Sequence, residues 1–268
     1  MPENALGVAV AQFSPRADPH ANREEIASLV VRAAARGARV VVLPEYSSYF
    51  VDPFDASVLA NAEALDGAFV SFLRGLAAAH DVTIVAGLLE KSADGERVRN
   101  TVVAADAGGV RAVYRKAHLY DAFGQRESDW VEPGDTAEPE TFVVGGLVFG
   151  LMTCYDLRFP ESARLLADAG VDVAVVPAQW VRGPLKEHHW RTLLLARAIE
   201  NTIYVAAADH TPPLAVGNSL IVDPQGTAVA SVGTTTDVAV AFLERAAVDN
   251  VRRVNPALEL RRYRVVPR

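Results

Sequence analysis

The chain has 268 residues, half of them hydrophobic, and a formal charge of −7 with lysines and arginines interspersed among aspartates and glutamates. That length buries a large core, so a single domain over 1–268 is expected; without a clustered basic run, neither nucleic acid nor an anionic membrane surface is an expected partner. The lone cysteine excludes an internal disulfide, MPENALGVAVAQF shows no signal-peptide pattern, and the longest uncharged stretch, Thr141 to Tyr155, is too short and glycine-rich to span a bilayer, so a soluble cytoplasmic protein is expected.

In chain order, LGVAVAQF reads as a strand. Asn22 and Glu25 have the spacing of a capping box, Ile26, Leu29, Val30 and Ala33 follow at helical spacing, and Gly37 supplies a stop. RVVVLPE is the next strand, Asp66 to His80 a helix, and VTIVAGLLE a strand. RNTVVAAD and VRAVYRK form a hairpin around Gly108 and Gly109. LVFGLMTC is a buried strand, Glu161 to Ala169 a helix ended by Gly170, and VDVAVVP, a helix from about Leu185 to Asn201, and IYVAAAD repeat the alternation. GNSLIVDPQGTAVASV is a late hairpin turning at Pro224–Gly226, and the tail from Leu243 is charged. Alternating strands and helices with some hairpins predict an α/β layered fold with mixed sheets. Runs apolar on both faces, such as VVVL and VAVVP, require helices to cover them.

Three chemically loaded residues stand where apolar runs meet polar ones: Glu45 after VVVLP, Lys116 after AVYR and Cys154 after GLMT. A thiol of pKa about 8.5 is only slightly ionised at neutral pH. A carboxylate within reach can take its proton as attack begins, and an ammonium stabilises the charge that develops. Together they suit acyl transfer, with Cys154 as nucleophile, Glu45 as base, Lys116 as stabiliser and the Tyr155 N–H as a second oxyanion donor. Taken singly, each has a plainer reading: a core thiol, a turn-capping glutamate and a solvated lysine.

The sequence resembles the nitrilase, or carbon–nitrogen hydrolase, superfamily. The resemblance rests on LPEY (43–46), YRKAHLYD (114–121) and MTCYDLRFPE (152–161), in order, supported by RESDWVEPGD (126–135), ARAIENTIYV (196–205) and GNSLIVDPQG (217–226). It implies a four-layer α-β-β-α sandwich, a Glu45–Lys116–Cys154 triad, and Glu127 as a second glutamate beside the lysine. It also implies no metal or organic cofactor, and a homodimer or higher homo-oligomer. The chain has no Cys/His cluster of zinc-site spacing. His188 and His189 are adjacent, so they do not share a helix face, and they read as ordinary polar residues.

CYDLRFPE resembles the branch of ω-amidases and deaminated-glutathione amidases rather than true nitrilases, which usually place Trp-Glu after the cysteine. The implied substrate is a small, anionic carboxylic-acid amide, with Arg158 on its carboxylate; the alternative is that Arg158 pairs with Asp156 or Glu161 to stiffen the loop. AQWVRGP departs from the small-residue segment of that branch: Trp180 either shapes the pocket floor or packs in the core, and Arg182 either adds an anionic anchor or faces solvent. The competing functions are a nitrilase or N-carbamoyl amino acid hydrolase of the same superfamily, and a non-catalytic nitrilase-like scaffold. The tail of about 244–268 holds few large apolar residues, and Leu258, Leu260 and Tyr263 are expected at a dimer interface.

Overall fold

The structure, a computed structural model, describes residues 5–135 and 138–266. Among them, thirteen strands form two sheets that stack face to face with helices outside. The first sheet contains β1 (Leu6–Gln12), β2 (Val40–Val42), β3 (Thr83–Lys91), β4 (Val98–Asp106), β5 (Gly109–Arg115), the two-residue β6 (Val131–Glu132) and β13 (Asp237–Leu243). Its order is β13-β1-β2-β3-β4-β5, with β6 pairing β4. The second sheet contains β7 (Thr141–Val144), β8 (Leu147–Leu151), β9 (Val173–Pro177), β10 (Tyr204–Ala208), β11 (Leu220–Val222) and β12 (Ala228–Ser231), in the order β12-β11-β10-β9-β8-β7. The helices are α1 (Pro19–Ala35), the single turn α2 (Ser57–Ala60), α3 (Ala68–His80), α4 (Pro160–Asp168), α5 (Lys186–Asn201) and α6 (Arg245–Val254).

Strand alternation explains the layers. Val8 and Val10 of β1, Val40 and Val42 of β2, Val173 and Val175 of β9, and Ala206 of β10 point between the sheets into one core. Their neighbours point outward: Ala9, Ala11 and Val41 pack with Ile26 and Leu29 of α1 and Leu73 of α3, while Ala174, Val176 and Val205 pack with Leu166 of α4 and Trp190 and Leu194 of α5. Both faces of the central strands are covered, which is why they read as unbroken apolar runs. The expected four-layer α-β-β-α sandwich is the fold observed.

Several local expectations change. Helix α1 is capped by Asp18, whose Oδ1 accepts from the His20 and Ala21 N–H groups at 2.9 and 3.1 Å, with Pro19 in the first turn. The Asn22–Glu25 spacing is coincidental: Asn22 is buried inside the helix and bonds to Arg16 N and O and to Ser48 O. The strand expected to run through LVFGLMTC ends at Leu151, because Thr153 and Asp156 close a capping box that starts a 3₁₀ turn over Cys154–Arg158. The tail contributes more packing than its composition suggests. Val248 of α6 is fully buried, and Arg245 and Arg252 reach the buried Asp172 at 3.2 and 3.5 Å. No helix of the described residues is long and apolar enough to cross a membrane.

Candidate active site

β2, β8 and β9 are central strands held by parallel pairings, and the segments after their carboxyl ends line one cleft. Glu45 follows β2, Lys116 follows β5, Cys154 follows β8 and Gln179 follows β9; all four line the cleft, as do Glu127, Tyr155, Arg158 and Trp180. The sequence elements that looked separate therefore share one cavity.

Two backbone conformations aim the reactive groups. Cys154 takes φ +44° and Tyr46, next to Glu45, φ +56°; both lie in the left-handed region that non-glycine residues rarely occupy. Glu45 also needs Gly87 on the neighbouring β3, where a Cβ would stand 2.3 Å from Tyr46 N and 2.7 Å from Glu45 Cα. Only a residue without a side chain lets the strand pass so close.

Lys116, 2% exposed, places Nζ 2.9 Å from Glu45 Oε1 and 2.9 Å from Glu127 Oε2. Burial opposes its charge, but Glu127 and Glu45 outweigh burial and hold its pKa well above the ordinary lysine value. Asn100 Nδ2 bridges the carboxylates, donating to Glu45 Oε1 at 2.7 Å and Glu127 Oε1 at 3.0 Å. Glu127 also accepts from the Tyr46 hydroxyl and from the Tyr120 N–H at 2.6 Å. Burial raises the Glu127 pKa, but Lys116 and these donors reverse the direction and leave it below the usual carboxylate value. Two carboxylates against one ammonium leave the cluster anionic. The Cys154 pKa is accordingly pushed well above that of a free thiol, by burial first and by Glu45 second, with Lys116 opposing. The resting sulfur is a protonated thiol, donating to Gln179 O at 3.5 Å, and it needs a base to react.

The elbow is braced from behind. The fully buried Asp156 accepts from Tyr114 Oη at 2.7 Å, from Thr153 N at 3.0 Å and from His118 N at 3.1 Å, and meets the His118 ring at 2.7 Å. These bonds tie the Cys154 turn to the strand that supplies Lys116. With Asp156 engaged in these bonds, and no carboxylate among the described residues paired with the Arg158 guanidinium, the loop-stiffening ion pair expected as the alternative for Arg158 is not seen. The guanidinium lies 4.8 Å from the Trp180 ring and 6.0 Å from that of Tyr155, with Nε buried and unpartnered. Trp180 lines the cleft and also packs against Trp190 and bonds through Nε1 to Lys186 O. Arg182 is exposed and lies outside the cleft; His189 touches Arg158 at 3.5 Å, while His188 has no such contact.

Sequence reasoning missed Tyr46, Asn100, Gln179 and Lys186. Tyr46 and Gln179 adjoin recognised residues, and their neighbours were the signal. Asn100, inside an ordinary strand, offers none. Lys186 lies just beyond the AQWVRGP segment, four residues after Arg182, and unlike Arg182 it turns inward. Among the described residues no group of three His, Cys, Asp or Glu side chains is placed to hold a metal ion.

Comparison with known proteins agrees with this architecture. The carbon–nitrogen hydrolase family model matches residues 7–253. The deaminated glutathione amidase of Escherichia coli O157:H7 is 40% identical over 257 residues, 96% of this chain and 97% of that protein. Among solved structures, an amidase of the nitrilase superfamily from Nesterenkonia AN1 superposes with TM-score 0.82 at 28% identity, covering 97% of this chain and 96% of that one. Saccharomyces cerevisiae Nit3, of branch 10 of that superfamily, superposes with TM-score 0.84 at 27% identity and 97% coverage of both chains. The chain belongs to the carbon–nitrogen hydrolase family. It is a hydrolase acting on carbon–nitrogen bonds, in the nitrilase superfamily, and several of its relatives are amidases.

Proposed function

We propose that the protein hydrolyses the amide of a small anionic carboxylic acid, of the ω-amide or deaminated-glutathione type, through a Cys154 thioester. The observation that carries this reading is the meeting of Cys154, Glu45, Lys116 and Glu127 in one cleft with an unpaired Arg158. Glu45 takes the thiol proton as Sγ attacks the amide carbon and delivers it to the departing ammonia or amine. Water, deprotonated by the same glutamate, then opens the thioester and releases the acid and the thiol. Lys116 Nζ and the Tyr155 N–H stabilise the oxyanion in both halves, and Glu127 holds Lys116 in place. Arg158 offers its planar fork to the substrate carboxylate, whose burial against Trp180 and Tyr155 strengthens the pair. The name of the Escherichia coli relative makes deaminated glutathione a natural member of the test panel.

Incubation with a panel of carboxylic-acid amides should release ammonia or amine, and intact mass spectrometry should show an acyl adduct lost in Cys154→Ala. Turnover of nitriles or N-carbamoyl amino acids with no amide turnover would favour the other activities of the superfamily; silence across all three would favour a scaffold. We further propose a cytoplasmic homodimer with the tail at its interface, where Leu260 and Tyr263 present apolar surface, 70% and 93% exposed. A chain ending at Pro256 keeps α6 intact, and light scattering should then show a monomer; a full dimer removes this assignment.

A further inference from the structure

Two cations enter the cleft without a carboxylate partner among the described residues. One is Arg158; the other is Lys186, the first residue of α5, which is only 6% exposed and donates from Nζ to Tyr120 Oη at 2.8 Å. Both share the same aromatic walls. Lys186 Nζ lies 3.8 Å from the centre of the Phe123 ring and 6.0 Å from that of Trp180, and the Arg158 guanidinium carbon lies 5.5 and 4.8 Å from the same two rings. Aromatic faces and one phenol stabilise a cation only modestly. Burial and the nearby Arg158 both work against the charge on Lys186 and lower its pKa.

A pair of half-enclosed like charges is unfavourable in the empty cleft and becomes favourable when a ligand supplies the missing negative charge. One carboxylate neutralises only one of the two. The side chain is not needed for the local fold through the Trp180 bond, which uses the Lys186 backbone carbonyl. We propose that Lys186 is a second anion anchor that makes this enzyme select amides whose non-reacting end carries two negative charges rather than one. The inference rests on the reading of the cleft as an amidase site anchored by Arg158, and it adds a specificity-determining residue to that site.

The test compares two primary amides of equal chain length. 4-Carbamoylbutanoate presents one carboxylate, and 2-(2-carbamoylethyl)malonate presents two on one carbon. The wild-type protein should favour the malonate by about tenfold or more in kcat/KM, the order expected for one additional charge-assisted contact in a shielded site. In Lys186→Gln that ratio should collapse towards one, with the larger loss on the malonate; Lys186→Arg should retain the preference. A wild-type ratio near one, or a ratio unchanged in Lys186→Gln, overturns the proposal. Calorimetric titration with the corresponding products, propane-1,1,3-tricarboxylate and glutarate, reads the same preference without turnover. Tighter binding of the tricarboxylate, lost in Lys186→Gln, alongside no hydrolysis of either amide would sustain Lys186 and sink the amidase reading. Hydrolysis of both amides with equal product affinities would do the reverse.

Discussion

Gln179 donates its backbone N–H to Glu45 Oε2 at 2.7 Å, joining the loop after β9 in one sheet to the loop after β2 in the other. The carbonyl of the same residue receives the Cys154 thiol. A single residue of the second sheet thus touches both the Glu45 carboxylate and the Cys154 sulfur, so the stacking of the two sheets sets how the two groups stand to each other. The Gln179 N–H binds the opposite carboxylate oxygen from the one that holds Lys116.

Replacing Glu45 separates thiol acidity from turnover. Glu45→Gln keeps the shape but cannot accept the proton, so kcat should fall by roughly 10²- to 10⁴-fold. The thiol should nevertheless become more acidic. After burial, the charge on Glu45 is the main influence raising the Cys154 pKa, and Lys116 remains beside the sulfur to lower it. Alkylation of the lone cysteine by iodoacetamide, followed by intact mass across pH, measures this directly. A midpoint that stays or rises in Glu45→Gln contradicts the assigned electrostatics.

Tyr46→Phe removes the hydroxyl that donates to Glu127 Oε1. A hydrogen bond to a buried carboxylate is worth roughly 2 kcal/mol. Glu127 has a depressed folded-state pKa, so the stability it contributes is present above the unfolded carboxylate pKa and is lost as the pH falls through the lower folded value. Without the tyrosine the folded pKa moves up. The acid limb of the kcat/KM profile should then shift to higher pH, and urea denaturation at neutral pH should show the variant less stable. An acid limb at the wild-type position would exclude a role for Tyr46 in setting Glu127.

His210 should make the stability of the protein fall in mild acid. It is wholly buried, its Nε2 bonds to the backbone carbonyl of Glu45 at 2.7 Å, and burial lowers its pKa to about 4. Between the unfolded histidine value near 6.5 and about 4, the unfolded chain binds a proton that the native chain refuses, so stability rises with pH through this window. The full span is worth about 3 kcal/mol. His210→Gln preserves a donor and cannot titrate, so its unfolding free energy should vary less between pH 6.5 and 4.5 than that of the wild type. Equal slopes would mean that other groups govern the acid response.

The layers were legible because periodicity reports burial. β1, β2, β9 and β10 are apolar on both sides, and only helices outside the two sheets satisfy that pattern. The meeting of Glu45, Lys116 and Cys154 in one cleft was legible because each interrupts such a run with a charge or a thiol that a strand interior would not hold. What was not legible depends on distant partners. Asn100 looks like any strand residue until β4 is placed between two carboxylates, and Lys186 looks like the exposed Arg182 until the turn at Leu185 points it inward. The Asn22 spacing misled because Asp18–Pro19 supplies a stronger helix start four residues earlier. The tail looked too polar to pack, since nothing local marks Asp172 as the buried carboxylate that receives Arg245 and Arg252.

Gly87 tests whether the spacing of the strands sets the position of the base. A methyl group there would meet the backbone atoms of Glu45 and Tyr46, which cannot rotate away as a side chain would. The loop also hangs on this residue, because Gly87 N donates to Pro44 O at 3.1 Å and Gly87 O accepts from Ser48 N at 3.2 Å. Gly87→Ala should therefore lose roughly 1–3 kcal/mol of stability, as overpacked sites do. Moving Glu45 by about 1 Å should cost on the order of 10²-fold in kcat. The matched control is Gly75→Ala, on the exposed face of α3 where nothing lies within 4 Å of the added carbon. There the helix should gain about 0.5–1 kcal/mol, with kcat unchanged. If Gly87→Ala kept wild-type kcat while Gly75→Ala behaved as expected, close passage of β3 would be irrelevant to the base, and Glu45 would have to be held by Lys116, Asn100 and Gln179 alone.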